Sequence, residues 1–274
     1  MAGGAVIAPA VAQGSVQIGE SSVVGLAASN EQGFGFKFFA PMSVTSYPSA
    51  SANTTQYVKG VSTHALAVLS SSSIHSWKDL AGKTVAVNTL GAITQVALEQ
   101  ALKDNGVDPS TVHIVAVAPP SWLSTLEQGR VDAVDFFEPF ATQMIIANQS
   151  GSTQGMFRVI GDEMNIGTMN QADFFSTQTW ISGHASVVSS FITALDKGIN
   201  DANSNTTLAR QMLVKYLNMN STVATQVNLY QYPTPPIPTA WMQIQINLGL
   251  TWGLLKNVND TPASLVDENY MALS

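Results

Sequence analysis

Two short segments carry the residue types that a small-molecule cleft uses. Gly19-Glu20-Ser21-Ser22 and Asn88-Thr89-Leu90-Gly91-Ala92 each stand between a strand-like run and a helical period. At such a turn the first N–H groups of the helix have no intrahelical partner and share about half a positive charge. Two such turns facing one space can hold an anion or another acceptor without any arginine. The same residues have a plainer use, since Ser21, Ser22 and Thr89 are also good caps for their own helices. The three arginines stand elsewhere: Arg130 in a turn, Arg158 near a strand start and Arg210 on a polar helix face.

The acids pull the other way. Glu20 sits at the positive end of its own helix and would repel an anion there unless it is protonated or turned aside. A neutral or zwitterionic ligand fits it better. Glu138, just before Pro139 at a strand's carboxyl end, could accept a ligand N–H or brace a hinge. Trp122 follows Pro119-Pro120 at another strand end, where it could stack on a ligand or simply pack. Phe174, Phe175 and Trp180 read as core. His64, His75, His113 and His184 are scattered without metal-ligand spacing, and the pairs Asp132/Asp135 and Asp162/Glu163 are acid groups without a partner motif. The sequence contains no G-x-S-x-G, Walker A or G-x-G-x-x-G motif, so no cofactor is expected.

The elements that must position these residues are clearest between Ser76 and Gln143. Lys83 to Val87 is a valine-rich strand, Ile93 to Asp104 a periodic helix stopped by Asn105-Gly106, and Val112 to Ala118 a second strand ended by two prolines. A short helix from Trp122 to Gln128 leads to a third strand, Val131 to Phe137. This is a strand-helix-strand-helix-strand unit, and ligands of such sheets sit at the strands' carboxyl ends. Upstream, Ala5 to Ala12 reads as a helix, Val16 to Ile18 as a strand, Ser21 to Asn30 as a helix and Phe36 to Ala40 as a strand. Ser43 to Gly60 is a polar excursion, and Val61 to Leu69 a strand leaving the first lobe. Asp173 to Ile181 is expected to be a strand returning to it. Helices follow over 186–203, 207–217, 221–229 and 239–255, with a short final one, while the prolines between Tyr232 and Pro238 demand a loop.

Composition narrows the classes. The chain has 274 residues, 45% of them hydrophobic, enough for a sizeable core. Only 11% are charged, and the net charge is −7, so no electrostatic footprint for nucleic acid or anionic lipid exists. Cysteine is absent, which excludes disulfides and thiolate chemistry within this sequence. No apolar run is long enough to span a membrane. Sequons for N-glycosylation begin at Asn53, Asn148, Asn205, Asn220 and Asn259, as expected by chance in a chain rich in Ser, Thr and Asn.

DLAGKTVAVNTLG, NGVDPSTVHIV and LEQGRVDAVDFFEPF, in that order, resemble the substrate-binding proteins of ATP-driven importers in the aliphatic sulfonate, nitrate, taurine and thiamine-pyrimidine group. The return crossover beginning ADFFSTQTW and the segment LGLTWGLLKNVND are similar to the family's downstream part. The resemblance implies an α/β, two-lobed periplasmic-binding-protein type II fold. Lobe 1 would comprise residues 1–74 and 173–274, and lobe 2 residues 75–172. It implies a solute receptor, not an enzyme, that closes on a sulfonate, taurine-like, nitrate-like or pyrimidine-like molecule and presents it to a membrane permease with its ATPase subunit. The membrane would be met only through that permease. Contacts would come from Glu20, Ser21, Ser22, Asn88, Thr89, Leu90, Gly91, Ala92, Trp122, Glu138 and Asp173, the last holding a ligand ammonium at the return crossover. Asp132 matches a turn-to-strand position that reads as a backbone cap. The alternative is an enzyme on the same fold, of thiamine-pyrimidine synthase or menaquinone-pathway type, although the synthase's cysteine-rich motif is missing. Family members are periplasmic or extracellular. The opening MAGGAVIAPAVAQG lacks a basic n-region, so the expectation is a chain without an export signal and without the family's first strand and helix.

Overall fold

The structure, a computed structural model, describes residues 4–45, 63–149, 155–164, 166–230, 232–257 and 259–274. Its larger sheet grows from the valine-rich segments. Strands β4 (Thr84–Val87), β5 (His113–Ala116) and β6 (Ala133–Phe137) are parallel, with β4 in the middle. β3 (His64–Leu69) and β7 (Phe157–Gly161) extend the sheet antiparallel, giving the order β5-β4-β6-β3-β7. Because successive side chains alternate faces, β3 sends Ala65 and Ala67 to one side and Leu66 and Val68 to the other. The first pair packs with Trp122, Val134 and Phe136. The second packs with Leu98 and Leu102 of helix α3 (Ile93–Asp104). The sheet is therefore covered on both faces, as a largely parallel sheet must be.

The smaller sheet has three strands in the order β1-β8-β2, built from β1 (Gly19–Ser21), β2 (Phe36–Thr45) and β8 (Met169–Thr177), all antiparallel to their neighbours. Helix α2 (Val23–Glu31) and helix α10 (Thr239–Thr251) pack with it around Phe36, Phe38 and Phe175. Helices α7 (Ala185–Ser204), α8 (Thr206–Leu217) and α9 (Ser221–Gln226) follow β8 after the short α6 (Gln178–Gly183). Helices α1 (Gly4–Ala12), α4 (Trp122–Glu127), α5 (Phe140–Gln149) and α11 (Pro262–Leu265) complete the set. Among the described residues no helix is long and apolar enough to cross a membrane.

Four expectations shift. The first strand lies at Gly19–Ser21 rather than 16–18, because residues 13–16 fold back on α1 through bonds from Gln13 N to Pro9 O and from Ser15 and Val16 N to Ala10 O. The returning strand ends at Thr177, whose hydroxyl accepts from Trp180 N at 3.1 Å and starts α6, so residues 178–181 are helical. Strand β3, expected to leave the first lobe, hydrogen-bonds to β6 and β7 inside the larger sheet. The excursion expected over 43–60 begins as ordered β2 through Thr45, and the rest of it, with the start of the expected strand at 61–62 and the Asn53 sequon, lies outside the described residues.

Candidate functional site

The two segments singled out in the sequence come together, although Gly19 to Ser21 form the end strand β1 and not a turn. Ser22 starts α2, its hydroxyl accepting from Gly25 N at 3.2 Å. A Cβ placed on Gly25 would lie 3.0 Å from the Ser21 and Ser22 hydroxyls and 3.5 Å from the carbonyl oxygen of Gly91. Glycine at position 25 thus lets the start of α2 approach the turn that leads into α3. That turn is shaped by Gly91 at φ 75°, a left-handed conformation suited to glycine. The Gly91 N–H donates to Gln95 Oε1 at 2.9 Å, and Thr94 Oγ1 donates to Asn88 Oδ1 at 2.7 Å. Thr89 does not cap α3; its hydroxyl donates to Leu90 O at 3.3 Å, and the cap position is Ala92.

Beside these segments is a cavity of about 510 Å³, within the range of small-molecule sites. The smaller sheet supplies Glu20 and Ser21 from β1, Met42 and Ser43 from β2, and Gln171, Ala172 and Phe174 from β8. The larger body supplies Asn88, Thr89, Ala92, Ile93 and Thr94 from the β4–α3 turn, with Phe137, Glu138 and Phe140 from the end of β6. Leu213, Leu217 and the stretch Val227 to Tyr230, with Tyr232, close it from the helical side. Ser22 lines it too. Among the described residues no lysine, arginine or histidine does.

Four of the expected contacts do not line it. Leu90 points to solvent at 44% exposure, and Gly91 shapes the turn from behind. Trp122 is fully buried; its indole N–H donates to Val117 O at 2.8 Å, and its ring packs edge-on against Phe137 and Phe140. Its role is to back the wall that those two rings form. Asp173 is fully buried and receives both N–H groups of the Asn170 amide, at 3.1 and 3.0 Å. Burial raises its carboxyl to about 7, with Asn170 and the Met42 backbone pulling it down in part.

Glu138 lines the cavity and braces it. Its Oε1 accepts from Thr142 Oγ1 at 2.9 Å and from Asn228 N at 3.2 Å, tying the start of α5 to the segment after α9. Burial likewise pushes the Glu20 carboxyl upward, and no described residue gives it a hydrogen bond. Tyr230 was not singled out in the sequence. Burial raises its phenol, which accepts from Gln171 Nε2 at 3.4 Å.

Behind Gln171 lies a cluster that the sequence showed only as separate acids. His64, Asp135 and Glu163 are all fully buried, with His64 Nε2 4.0 Å from Glu163 Oε1 and 3.4 Å from Gln171 Nε2. Burial lowers His64 to about 3, so its ring is neutral, and raises Asp135 to about 7. Glu163 is raised by burial and then by the charges of Asp135 and Asp162. Two ionised carboxylates only accept, so the contact between Asp135 and Glu163 requires a shared proton. Asp132, in contrast, accepts from Thr84 N at 2.8 Å, a backbone brace as the resemblance implied. Arg158 is spent on the carbonyls of Ser70, Ser72 and Ile74, and Arg210 on that of Val227. No three His, Asp or Glu side chains among the described residues come together as metal ligands.

Residues 3–207 match the family model described as NMT1/THI5 like. The chain belongs to the NMT1/THI5-like family. No curated protein matches it by sequence. Among solved structures it is similar to the alkanesulfonate-binding protein SsuA of Xanthomonas axonopodis pv. citri bound to MOPS, with a TM-score of 0.75 at 14% identity over 100% of this chain and 86% of that one. The periplasmic aliphatic sulphonate binding protein SsuA of Escherichia coli gives 0.71 at 16% identity over 98% and 86%. A Candida albicans protein with the generic periplasmic binding protein fold, the CA3427 gene product, gives 0.68 at 13% over 100% and 85%. This NMT1/THI5-like chain therefore has the periplasmic-binding-protein type II fold. The cavity lies where its two sheets meet.

Proposed function

We propose that the protein is the solute receptor of an ATP-driven importer, binding a small polar molecule between two lobes and handing it to a membrane permease outside the cytoplasm. One lobe carries the three-stranded sheet and the other the five-stranded sheet with β3. The observation that carries this reading is a 510 Å³ cavity lined from both sheets. A ligand held by both bodies favours their closed arrangement, which is what a permease can recognise. The sulfonate receptors with similar folds support the reading.

A thermal-shift screen tests it with sulfonates, taurine, nitrate, small carboxylates, pyrimidines and amines. A true ligand at 100 times its dissociation constant adds about 2.7 kcal/mol of stability. If no compound raises the melting temperature, the receptor reading falls. Mass spectrometry of each compound after incubation separates receptor from enzyme, because a converted compound would make the protein a catalyst on this fold.

A further inference from the structure

Resting on the receptor reading, we infer that the cavity takes a protonated organic amine carried on an apolar, ring-sized body, with Glu20 as its principal counter-charge. The first ground is the charge of the lining. Glu20 is there, and no lysine, arginine or histidine accompanies it among the described lining residues. Arg158 and Arg210 stand outside the lining and are hydrogen-bonded to backbone carbonyls. An anionic ligand would bring its negative charge up against Glu20 in a half-enclosed space.

The helix starts do not reverse this balance. Val24 N at the start of α2 already donates to the buried Gln245 side chain at 3.2 Å, and Gly25 N to Ser22. At the α3 turn the Gly91 N–H is taken by Gln95. Much of the donor capacity that could wrap an anion is thus satisfied inside the protein, and Glu20 stands at the positive end of α2 as a built-in anion.

The second ground is shape and chemistry. Glu20 pairs with Phe174 across β1 and β8, so a carboxylate and an aromatic ring adjoin on one wall. Phe137 and Phe140 form the opposite wall, fixed by Trp122 behind them. A carboxylate flanked by rings suits an ammonium or amidinium, which gains both ion pairing and attraction to the ring faces. Half-burying Glu20 without a hydrogen bond from a described residue costs free energy that a nearby positive charge offsets only in part and that a ligand cation would recover further.

The test uses three probes of one body and different charge: 2-phenylethylammonium, 2-phenylethanol and 2-phenylethanesulfonate, titrated calorimetrically into the intact protein and into Glu20→Gln. The expected result is at least tenfold tighter binding of the ammonium than of the sulfonate, with that ratio falling at least tenfold in Glu20→Gln. Because partial unfolding weakens all probes together, the ratio reports charge and not folding. Tighter binding of the sulfonate, or a ratio unmoved by the substitution, overturns the amine inference while leaving the receptor reading standing. Failure of all three to bind also overturns it, and the thermal-shift panel above then decides separately whether the receptor reading fails as well.

Discussion

Asp135 and Glu163 meet at zero exposure, and no other described side chain donates a hydrogen bond to either carboxyl. Burial holds Asp135 near 7 and Glu163 above its ordinary value, and Asp173 is also held near 7. In the unfolded chain Asp135 and Asp173 lose their protons near pH 4, whereas in the folded protein they keep them up to about pH 7, and Glu163 is shifted in the same direction. Across that window the folded state binds more protons, so stability falls as pH rises. His64 acts oppositely, because the unfolded ring takes a proton below about 6.5 and the folded one, held near 3, does not. One histidine against three carboxyls leaves the net slope negative. Each group is worth several kcal/mol at most, so the melting temperature is expected to be higher at pH 5 than at pH 8 by about 5 °C or more. Asp135→Asn supplies an amide donor to Glu163 and removes one of the protons; it should flatten the slope and raise the melting temperature at pH 8. A flat or rising profile between pH 5 and 8 in the parent protein, read by calorimetry, would refute this account of the cluster.

At the scale of elements the site depends on where α2 begins, and α10 sets that. A Cβ on Gly249 of α10 would stand 2.6 Å from Val24 Cγ2 and 2.8 Å from Leu255 Cδ1, so the two helices touch through a missing side chain. In the same helix Gln245 holds Val24 N and donates to the Asn170 carbonyl, joining α2 to β8. Gly249→Ala should destabilise the protein by about 1–3 kcal/mol through overpacking and weaken ligand binding by shifting the wall that carries Glu20 and Ser22. A melting curve and a binding titration on that variant check both, and unchanged values in each would show that α10 yields without moving α2. The elements were largely legible from pattern: Ile93–Asp104 stands at the expected bounds because its apolar period and the Asn105-Gly106 stop agree. The turn at Asn88–Ala92 and the helix start at Ser22 were legible for the same reason, since glycine and hydroxyl residues punctuate strand-to-helix junctions, whereas Gly19 to Ser21, read as turn, form strand β1. What was not legible depends on packing between distant segments. Trp122 reads as a stacking ring by position, but Phe136, Phe137 and Phe140 enclose it. Tyr230 lies in a stretch without period and reaches the cavity only because α8 and α9 fold back over it. The Asp135–Glu163 contact joins residues on β6 and just past β7, a pairing through β3 that no local pattern announces.

For the whole molecule, the arrangement that matters is one ligand space shared by two sheets. Glu20, Ser43 and Phe174 approach it from the smaller, and Thr89, Phe137 and Glu138 from the larger body. A solute that touches both binds better when they are close, and by linkage its presence must shift the population toward the closed form by as much as its affinities for the two forms differ. On the proposed receptor function, closing would expel water from the cavity and let its largely apolar walls meet around the ligand. A compact chain of 274 residues has a radius of gyration of about 19 Å. The ligand-free protein is therefore expected to scatter with a larger radius, and to contract toward that value when saturated with the compound that gives the greatest thermal shift. Small-angle X-ray scattering across a titration reads this directly, and the contraction should follow the same binding curve as calorimetry. A radius unchanged at saturation would mean that the two bodies are already closed around the empty space, and that the ligand must enter by local motion of the α8–α9 side instead.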